Sequence, residues 1–590
     1  MRWWPKSCNG ACSSVLARDE IRSVMKKRPS FRCLLAAVLS LCCFVVLLFR
    51  GSTELTRVFT ANFFDLQARA WLRGRWNIGA WSDGLGGASS PLGFEAFIID
   101  GEHHLYFGPV ASLLRLPILA VTDTLDGRLT QPMMTAGFVL AMVCFGWLVR
   151  RIHALRAAGG DLPARVPPLQ CSALLFGFGV TMLFLASQPF VYHEAITWGV
   201  AFSLAAYAVI VDLAARPRVG AVVAAGLLAT LALLSRASVG IGPVAALGCV
   251  LAGTLFRRLR GRRDGDPAPP TAGVLAALAL AVALPVGAFA AVNLARFGEP
   301  FRLPIEKQSF SKVWPDRIAV LEAYGNSLFS PKLVPTTLWQ YLRPDAVAFS
   351  RLPPWIVFPR QPATVIRGGI LGEVLLDTRQ EASSLTTSMP AAVVFSVFGL
   401  VALVRRRQLR AVRAAVAGAV VGCAGVLTIA FIGHRYLYDF VPLLALLGAC
   451  GAGEVAAWYG RARWPARLAL ALAVVLLLAW QTVCSLALAI EYQRLIAVSD
   501  EDRAEFVAFQ YRVAGPDPAV RRLPANATPP VPVPPRGEIV LRFGEDDGLC
   551  RGVLWSDGQS WHELPGAPAL CELVGGSEAA GGAVPEGGAR

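Results

Sequence analysis

Ionisable residues are costly to keep close to hydrocarbon, so where they gather at the ends of apolar stretches they point to function. In this sequence they gather on one side. Asp65 sits on a short amphipathic stretch, Tyr192-His193-Glu194 fills a turn between two apolar segments, and Ser235-Arg236 separates two others. Asn293 and Arg296 end a further segment, and Gly433-His434-Arg435-Tyr436-Leu437-Tyr438-Asp439 joins a later pair. Four of the six His, at 103, 104, 193 and 434, fall in these membrane-proximal segments. A carboxylate among them can take the proton of an attacking hydroxyl. Arginine, with its planar fork of donors, grips phosphate oxygens and stabilises charge growing on them. No metal site is expected: His103-His104 beside Glu102 has the right residue types, but adjacent histidines rarely share a metal without further ligands.

The elements that must hold these residues are apolar helices. The chain has 590 residues, 55% of them hydrophobic and 16% charged, which excludes a soluble enzyme. Eleven membrane spans are predicted at 33–49, 132–149, 169–187, 196–214, 219–235, 241–256, 272–294, 388–404, 412–432, 438–458 and 466–490. The net charge of +16 first suggests a nucleic-acid partner. Divided by topology, it does not. A basic tail with Lys26, Lys27, Arg28 and Arg32 before the first span puts the N-terminus in the cytoplasm. Alternating from there, the inner segments carry 27 basic and 7 acidic residues, and the outer remainder is at −4. The basic excess therefore orients the protein in its membrane, and no nucleic acid is implied. Only 6 of the 56 basic residues are Lys, the mark of a GC-rich, actinobacterial-type genome.

The expected fold class is an α-helical polytopic membrane protein with a small extracytoplasmic C-terminal α+β domain. Residues 1–32 form a cytoplasmic tail, 33–492 the transmembrane domain with large outer loops 51–131 and 296–387, and 493–590 the terminal domain. The first outer loop begins with an amphipathic helix, Asn62 to Trp76, followed by a Gly- and Ser-rich link from Gly84 to Gly93. An extended piece, Phe94–Asp100, then leads to an Asp100-Gly101 turn. The apolar run to Val121 is broken by Arg115 and Pro117 and reads as a surface or re-entrant helix. The terminal domain holds a polar helix near Asp500–Tyr511, a Pro-rich linker at 524–535, two short strands and a disordered end from Gly575. Of thirteen Cys, only Cys550 and Cys571 lie in outer soluble segments. A disulfide between them is expected, two free thiols being the alternative.

Several short stretches resemble the GT-C superfamily of polyprenyl-phosphate-dependent membrane glycosyltransferases. Phe64-Asp65-Leu-Gln-Ala-Arg-Ala-Trp-Leu-Arg-Gly-Arg resembles its first-loop helix, and Tyr106-Phe107-Gly108-Pro109 the aromatic-Pro step before the second span. Asn293-Leu-Ala-Arg-Phe-Gly-Glu-Pro resembles the ending of a middle span in many bacterial members, and Arg435-Tyr-Leu-Tyr-Asp-Phe-Val-Pro the entry to a late one. The order of these stretches along residues 50–490 matches, although Leu66 follows Asp65 where many members carry a second acid. The resemblance implies an inverting transfer of a sugar from a polyprenyl-phosphate carrier to an extracytoplasmic cell-envelope glycan or lipid, in the plasma membrane, with the C-terminus outside. Asp65 would be the catalytic base, with Asp100 and Glu95 in reserve. Arg236 and Arg435 would bind the donor phosphate. Tyr192, His193, Glu194, Tyr436, Asp100, Tyr106 and Asn293 would line the substrate pocket. No cofactor is required by such chemistry; a divalent cation stays open. The plainer alternatives are an Asp65–Arg69 pair on a solvated helix and arginines reaching lipid headgroups. Two other functions remain open: a non-catalytic envelope assembly protein, and a lipid or solute transporter.

Overall fold

The computed structural model describes residues 30–52, 63–78, 96–160, 162–163, 166–215, 218–260, 271–308, 310–359, 374–496, 498–517, 519–524, 527–529, 536–544, 549–558 and 560–575. The tail before Ser30, the link at 84–93, Glu95, most of the Pro-rich linker and the end beyond Gly575 lie outside them.

Each of the eleven apolar segments is helical. Among the described residues, nine helices are long and apolar enough to cross a membrane: Phe31–Leu48, Thr130–Ala157, Pro168–Ser187, Val191–Ala214, Ala237–Leu259, Ala272–Phe297, Arg407–Thr428, His434–Arg461 and Trp464–Ile496. Val219–Ser235 and Pro390–Arg405 are apolar but shorter, at 17 and 16 residues. The chain is a helical, polytopic membrane-spanning protein. The run around Arg115 forms a ten-residue helix, Val110–Leu119, with Pro117 inside it, too short to span.

Local chemistry explains where the helices begin and end. Ser30 and Thr271 cap two of them by accepting from the amides of Cys33 and Val274. Gly298, at φ 73°, ends the Ala272–Phe297 helix in the left-handed conformation that favours glycine. Glycines also let helices touch. A methyl group on Gly451 would collide with the Phe395 carbonyl, and one on Gly399 with that of Leu447, so Pro390–Arg405 and Val441–Arg461 meet backbone to backbone. Gly242 and Gly418 do the same for the Ala237–Leu259 and Arg410–Thr428 helices. The Val191–Ala215 helix lies at the centre, packed against Thr130–Ala157, Val219–Ser235, Ala237–Leu259 and Arg410–Thr428.

The described parts of the two long segments expected on the outer side, 51–131 and 296–387, pack against the helical bundle. The first contributes the Phe63–Leu72 helix and a hairpin, Ala96–Ile99 with Glu102–Leu105, in which Ile98 faces His103. Asp100 and Gly101 make its turn with positive φ. The second outer segment meets this hairpin through a bridge between Phe97 and Gln308. It is tied internally by Arg317, whose Nε donates to Asp377 at 2.7 Å. Thr378–Arg379 then pairs in parallel with Phe431–Ile432.

The terminal part carries the Asp500–Ala514 helix, capped by Ser499, and a four-stranded sheet. Its strand order is Trp561–Leu564, Cys550–Ser556, Ile539–Phe543, Arg521–Pro524. Val507, Tyr511, Leu541, Val553 and Trp555 form its core, and Cys550 is bonded to Cys571 in a closing helix, Ala567–Gly575.

Three expectations need correction. The first-loop helix ends at Leu72 rather than Trp76, because Gly74 takes φ 72° and turns the chain; Asn62 lies outside the described residues. Tyr192-His193-Glu194 is not a turn but the first helical turn after Pro189. Pro524 belongs to an edge strand, where a missing amide is tolerated, not to the linker.

Candidate functional site

The first turn of the Val191–Ala215 helix sends three consecutive side chains in three directions, and the polar clusters are arranged around it. Glu194 points to the first outer segment. Its carboxylate accepts two bonds from Arg115, Nη1 to Oε1 at 2.6 Å and Nη2 to Oε2 at 2.7 Å. Arg115 also donates from Nε to Asp65 Oδ1 at 2.5 Å and from Nη2 to Thr130 Oγ1 at 3.3 Å. Its guanidinium lies 5.3 Å from the Phe64 ring centre, and the side chain is fully buried. Asp65 Oδ2 accepts the Gly127 amide at 2.7 Å. The result is one cation between two carboxylates, with each carboxylate oxygen hydrogen-bonded. Burial outweighs Arg115 and the amides of Gly127 and Leu129 and raises the Asp65 carboxyl above the usual aspartate range. The Asp65–Arg69 pair is not formed: Arg69 instead grips Asp126 at 2.8 Å and the carbonyls of Leu119 and Thr122.

His193 points back to the preceding 3-10 turn, Met182–Ser187. Its Nδ1 lies 3.1 Å from the Leu185 and 3.0 Å from the Gln188 carbonyl oxygens, so the proton sits on Nδ1. His434 also packs on Phe184; the ring centres of His193 and His434 are 5.6 Å and 4.3 Å from that of Phe184. His434 Nδ1 accepts the Ser383 amide at 3.2 Å and is therefore the unprotonated nitrogen.

Tyr192 points to the third cluster. The Arg435 guanidinium stands 4.3 Å from the Tyr192 ring centre, 5.0 Å from Phe431 and 5.4 Å from Tyr436. Such caging of a cation by aromatic faces is worth about 2 kcal/mol or more per desolvated contact. Arg435 also donates to Gln380 Oε1 at 2.9 Å and bonds the Tyr492 side chain. Arg236 reaches the same Tyr436 ring at 5.6 Å. It is held by Asp439 through two bonds of 2.6 and 3.0 Å, and Ser238 donates to the same carboxylate at 2.8 Å.

The predicted residues therefore divide. Tyr192, Arg236, Arg435 and Tyr436 come together. Asp65 and Glu194 form a separate buried cluster, reached through the next two residues of the same helical turn. Tyr106 stacks between Phe97 and Phe107, at 5.4 and 4.3 Å, and Phe107 meets Tyr192 at 5.3 Å, so it joins the wall rather than the cluster itself. Asn293 is buried and donates to the Pro300 carbonyl at 3.3 Å, a helix-ending role. Asp100 is exposed at a hairpin tip. His103 and His104 are successive strand residues, and among the described residues no group of three or more His, Cys, Asp or Glu is placed to hold a metal.

Sequence reading missed the role of Arg115, treated only as a break in an apolar run. A lone arginine in such a run was itself the signal, since it needs partners. It also passed over Gln380 and Tyr492, whose proximity to Arg435 depends on long-range pairing that no local pattern records. Sequence comparison finds no family model and no curated protein that matches the chain.

Proposed function

We propose that this chain is a membrane glycosyltransferase of GT-C-like architecture, with eleven spans, an inner N-terminus and the terminal sheet domain outside the plasma membrane. It moves a sugar, with inversion, from a polyprenyl-phosphate donor to an envelope glycan or lipid. The observation that carries this reading is the convergence of Arg236 and Arg435 on Tyr436, next to Tyr192, at the ends of apolar helices. Two guanidiniums fixed by Asp439, Gln380 and aromatic rings are preorganised cations of the kind a departing lipid phosphate needs. The phosphate leaves without a proton, so the remaining requirement is a base for the acceptor hydroxyl. Asp65 takes that role by exchanging its bond to the Gly127 amide for the acceptor hydroxyl while Arg115 keeps hold of Oδ1. Its raised carboxyl makes it a stronger base than an ordinary aspartate.

One observation favours a second reading, a non-catalytic assembly protein: both Asp65 oxygens are occupied and the side chain is buried. Labelled polyprenyl-phosphate sugar supplied to the purified chain decides between them. The transferase reading expects transfer by wild type, and loss of at least a hundredfold in Asp65→Asn and in Arg435→Ala. Transfer by Asp65→Asn at the wild-type rate removes Asp65 as base, and no transfer by any preparation favours the assembly protein.

A further inference from the structure

A cavity of about 130 Å³ lies between the terminal sheet and the membrane-embedded helices. Phe349, Phe358, Ile539 and Trp555 give it apolar walls, and Arg379, Glu381, Glu491, Gln510, Arg536 and Asp557 bring polar groups to it. Glu491 is the decisive one. It ends the apolar Trp464–Glu491 helix, is 3% exposed, and accepts the Phe358 amide at 2.7 Å through Oε2. Among the described residues no cation pairs with it. A buried carboxyl without a cation is expensive, and it is kept where something else satisfies it. The turn that follows, Tyr492–Ile496, is π-helical, a distortion that often marks a functional position in a helix.

The charges around the cavity select the class of ligand. Arg536 is already paired with Glu381, and Asp557 is bonded to His562 at 2.8 Å and to Ser560 at 2.9 Å. That leaves the Glu491 carboxyl and the Gln510 amide oxygen, the amide nitrogen being bonded to the Pro353 carbonyl, against the Arg379 guanidinium. An anion meets three acids on the walls, and a cation meets two arginines. A neutral ring bearing several hydroxyls fits both halves, because each hydroxyl donates to a carboxylate and accepts from a guanidinium, while its C–H faces lie on aromatic rings. The volume suits one ring, not a chain of them.

The position of the cavity matters as well. Two segments each give alternate residues to the cavity and to the arginine cluster. Arg379 and Glu381 line the cavity while Gln380 between them accepts from Arg435; Glu491 lines it while Tyr492 bonds Arg435. We infer that this cavity binds a neutral, polyhydroxylated ring, the sugar portion of a glycan or glycolipid, with Glu491 as its anchoring carboxyl. As the place that holds the acceptor of sugar transfer it rests on the function proposed above; as a sugar site it does not.

Saturation-transfer NMR on the full chain in nanodiscs, with the methyl glycosides of glucose, galactose, mannose and arabinose as probes, tests it. Wild type should saturate the ring protons of at least one probe at millimolar concentration. Glu491→Gln, which keeps shape and the bond from Phe358, should weaken that binding about tenfold, the loss expected for one buried hydrogen bond. Arg379→Ala, at the exposed side of the cavity, should weaken it severalfold without disturbing the buried helix end. No probe bound by wild type, or binding unchanged in both variants, overturns the inference. Sugar binding that depends on Glu491 without transfer in the labelled-donor assay would remove the transferase reading and leave the site standing. Transfer with sugar binding indifferent to Glu491 would do the reverse.

Discussion

At the scale of single residues, the polar clusters around Tyr192-His193-Glu194 separate two jobs that residue type alone would merge. Arg115 and Arg435 are both arginines near a carboxylate-bearing turn, yet Arg115 is closed between Asp65 and Glu194 while Arg435 is caged by aromatic rings. Replacing Arg115 with Ala leaves two buried carboxylates uncompensated, at about 3–5 kcal/mol. A large fall in the thermal unfolding temperature of the detergent-solubilised chain is expected, with Arg115→Lys recovering only part of it because one ammonium cannot satisfy both acids in the same geometry. Arg435→Lys should lower the unfolding temperature less than Arg115→Ala does and lose about tenfold or more in transfer, since lysine neither stacks on Tyr192 nor forks to a phosphate. For the proposed sugar transfer with Asp65 as base, the raised Asp65 carboxyl sets the expected pH dependence. A base works only when ionised, so transfer should rise with pH through a midpoint above that of an ordinary aspartate and be lost as pH falls below it. A rate flat in pH across the acid limb would remove Asp65 from the mechanism. Asp65, Tyr192, Arg236, Arg435 and Tyr436 were readable because a polar residue beside an apolar run stands out. Glu194's partner was not, because the fifty and seventy-nine residues separating Arg115 from its two acids are closed only by folding.

At the scale of elements, helix positions were legible because hydrocarbon leaves the backbone no other way to satisfy itself over a long apolar stretch. All eleven apolar segments form helices, and the errors fall at helix ends, where Pro189 and Gly298 decide for two spans and Gly74 for the first-loop helix. What periodicity could not give was the pairing of helices, which rests on small residues at contact points. The Pro390–Arg405 helix is short, but its glycine contact with Val441–Arg461 holds it inside the bundle. Gly451→Ala must push it off the Phe395 carbonyl, at about 1–3 kcal/mol of overpacking. Gly460→Ala, where the added methyl meets nothing within 4 Å, is the matched control. A drop in unfolding temperature for the first and none for the second is the expected result; equal behaviour of the two would show that the helices do not touch there. The short strands were half legible. Ile539–Phe543 and Cys550–Ser556 announce themselves by β-branched and aromatic residues, whereas Arg521–Pro524 and Trp561–Leu564 are too polar to stand out and exist because a neighbour offers them an edge.

At the scale of the whole molecule, the terminal domain is fastened to the membrane part by Leu495 and Leu352, which pack with its apolar core, and by polar contacts of Arg536 with Glu381, Arg351 with Asp517, and Arg50 with Asp502. Burial lowers the Arg536 guanidinium to about 10, so it stays charged at neutral pH and the pair with Glu381 persists there. Arg536→Ala should expose the terminal domain to limited proteolysis while leaving the helical bundle intact. Reduction of the Cys550–Cys571 bond should loosen the sheet itself, at about 3 kcal/mol, and be visible as protease cuts within residues 536–575. If neither treatment changes the cleavage pattern, the domain is held by something other than these links. The helix that leads into this domain, Trp464–Glu491, has 28 residues and is about 42 Å long, against a hydrocarbon core of about 30 Å. Its apolar stretch, Leu468 to Ile490, is about 34 Å long and exceeds that core by a few Å, a mismatch that tilt accommodates, and Glu491 rides on its end. Bilayer thickness is therefore an input to the sugar cavity: shorter lipids increase the lean, longer ones reduce it, and the grip on a ligand at Glu491 becomes a gauge of the membrane in which the protein sits.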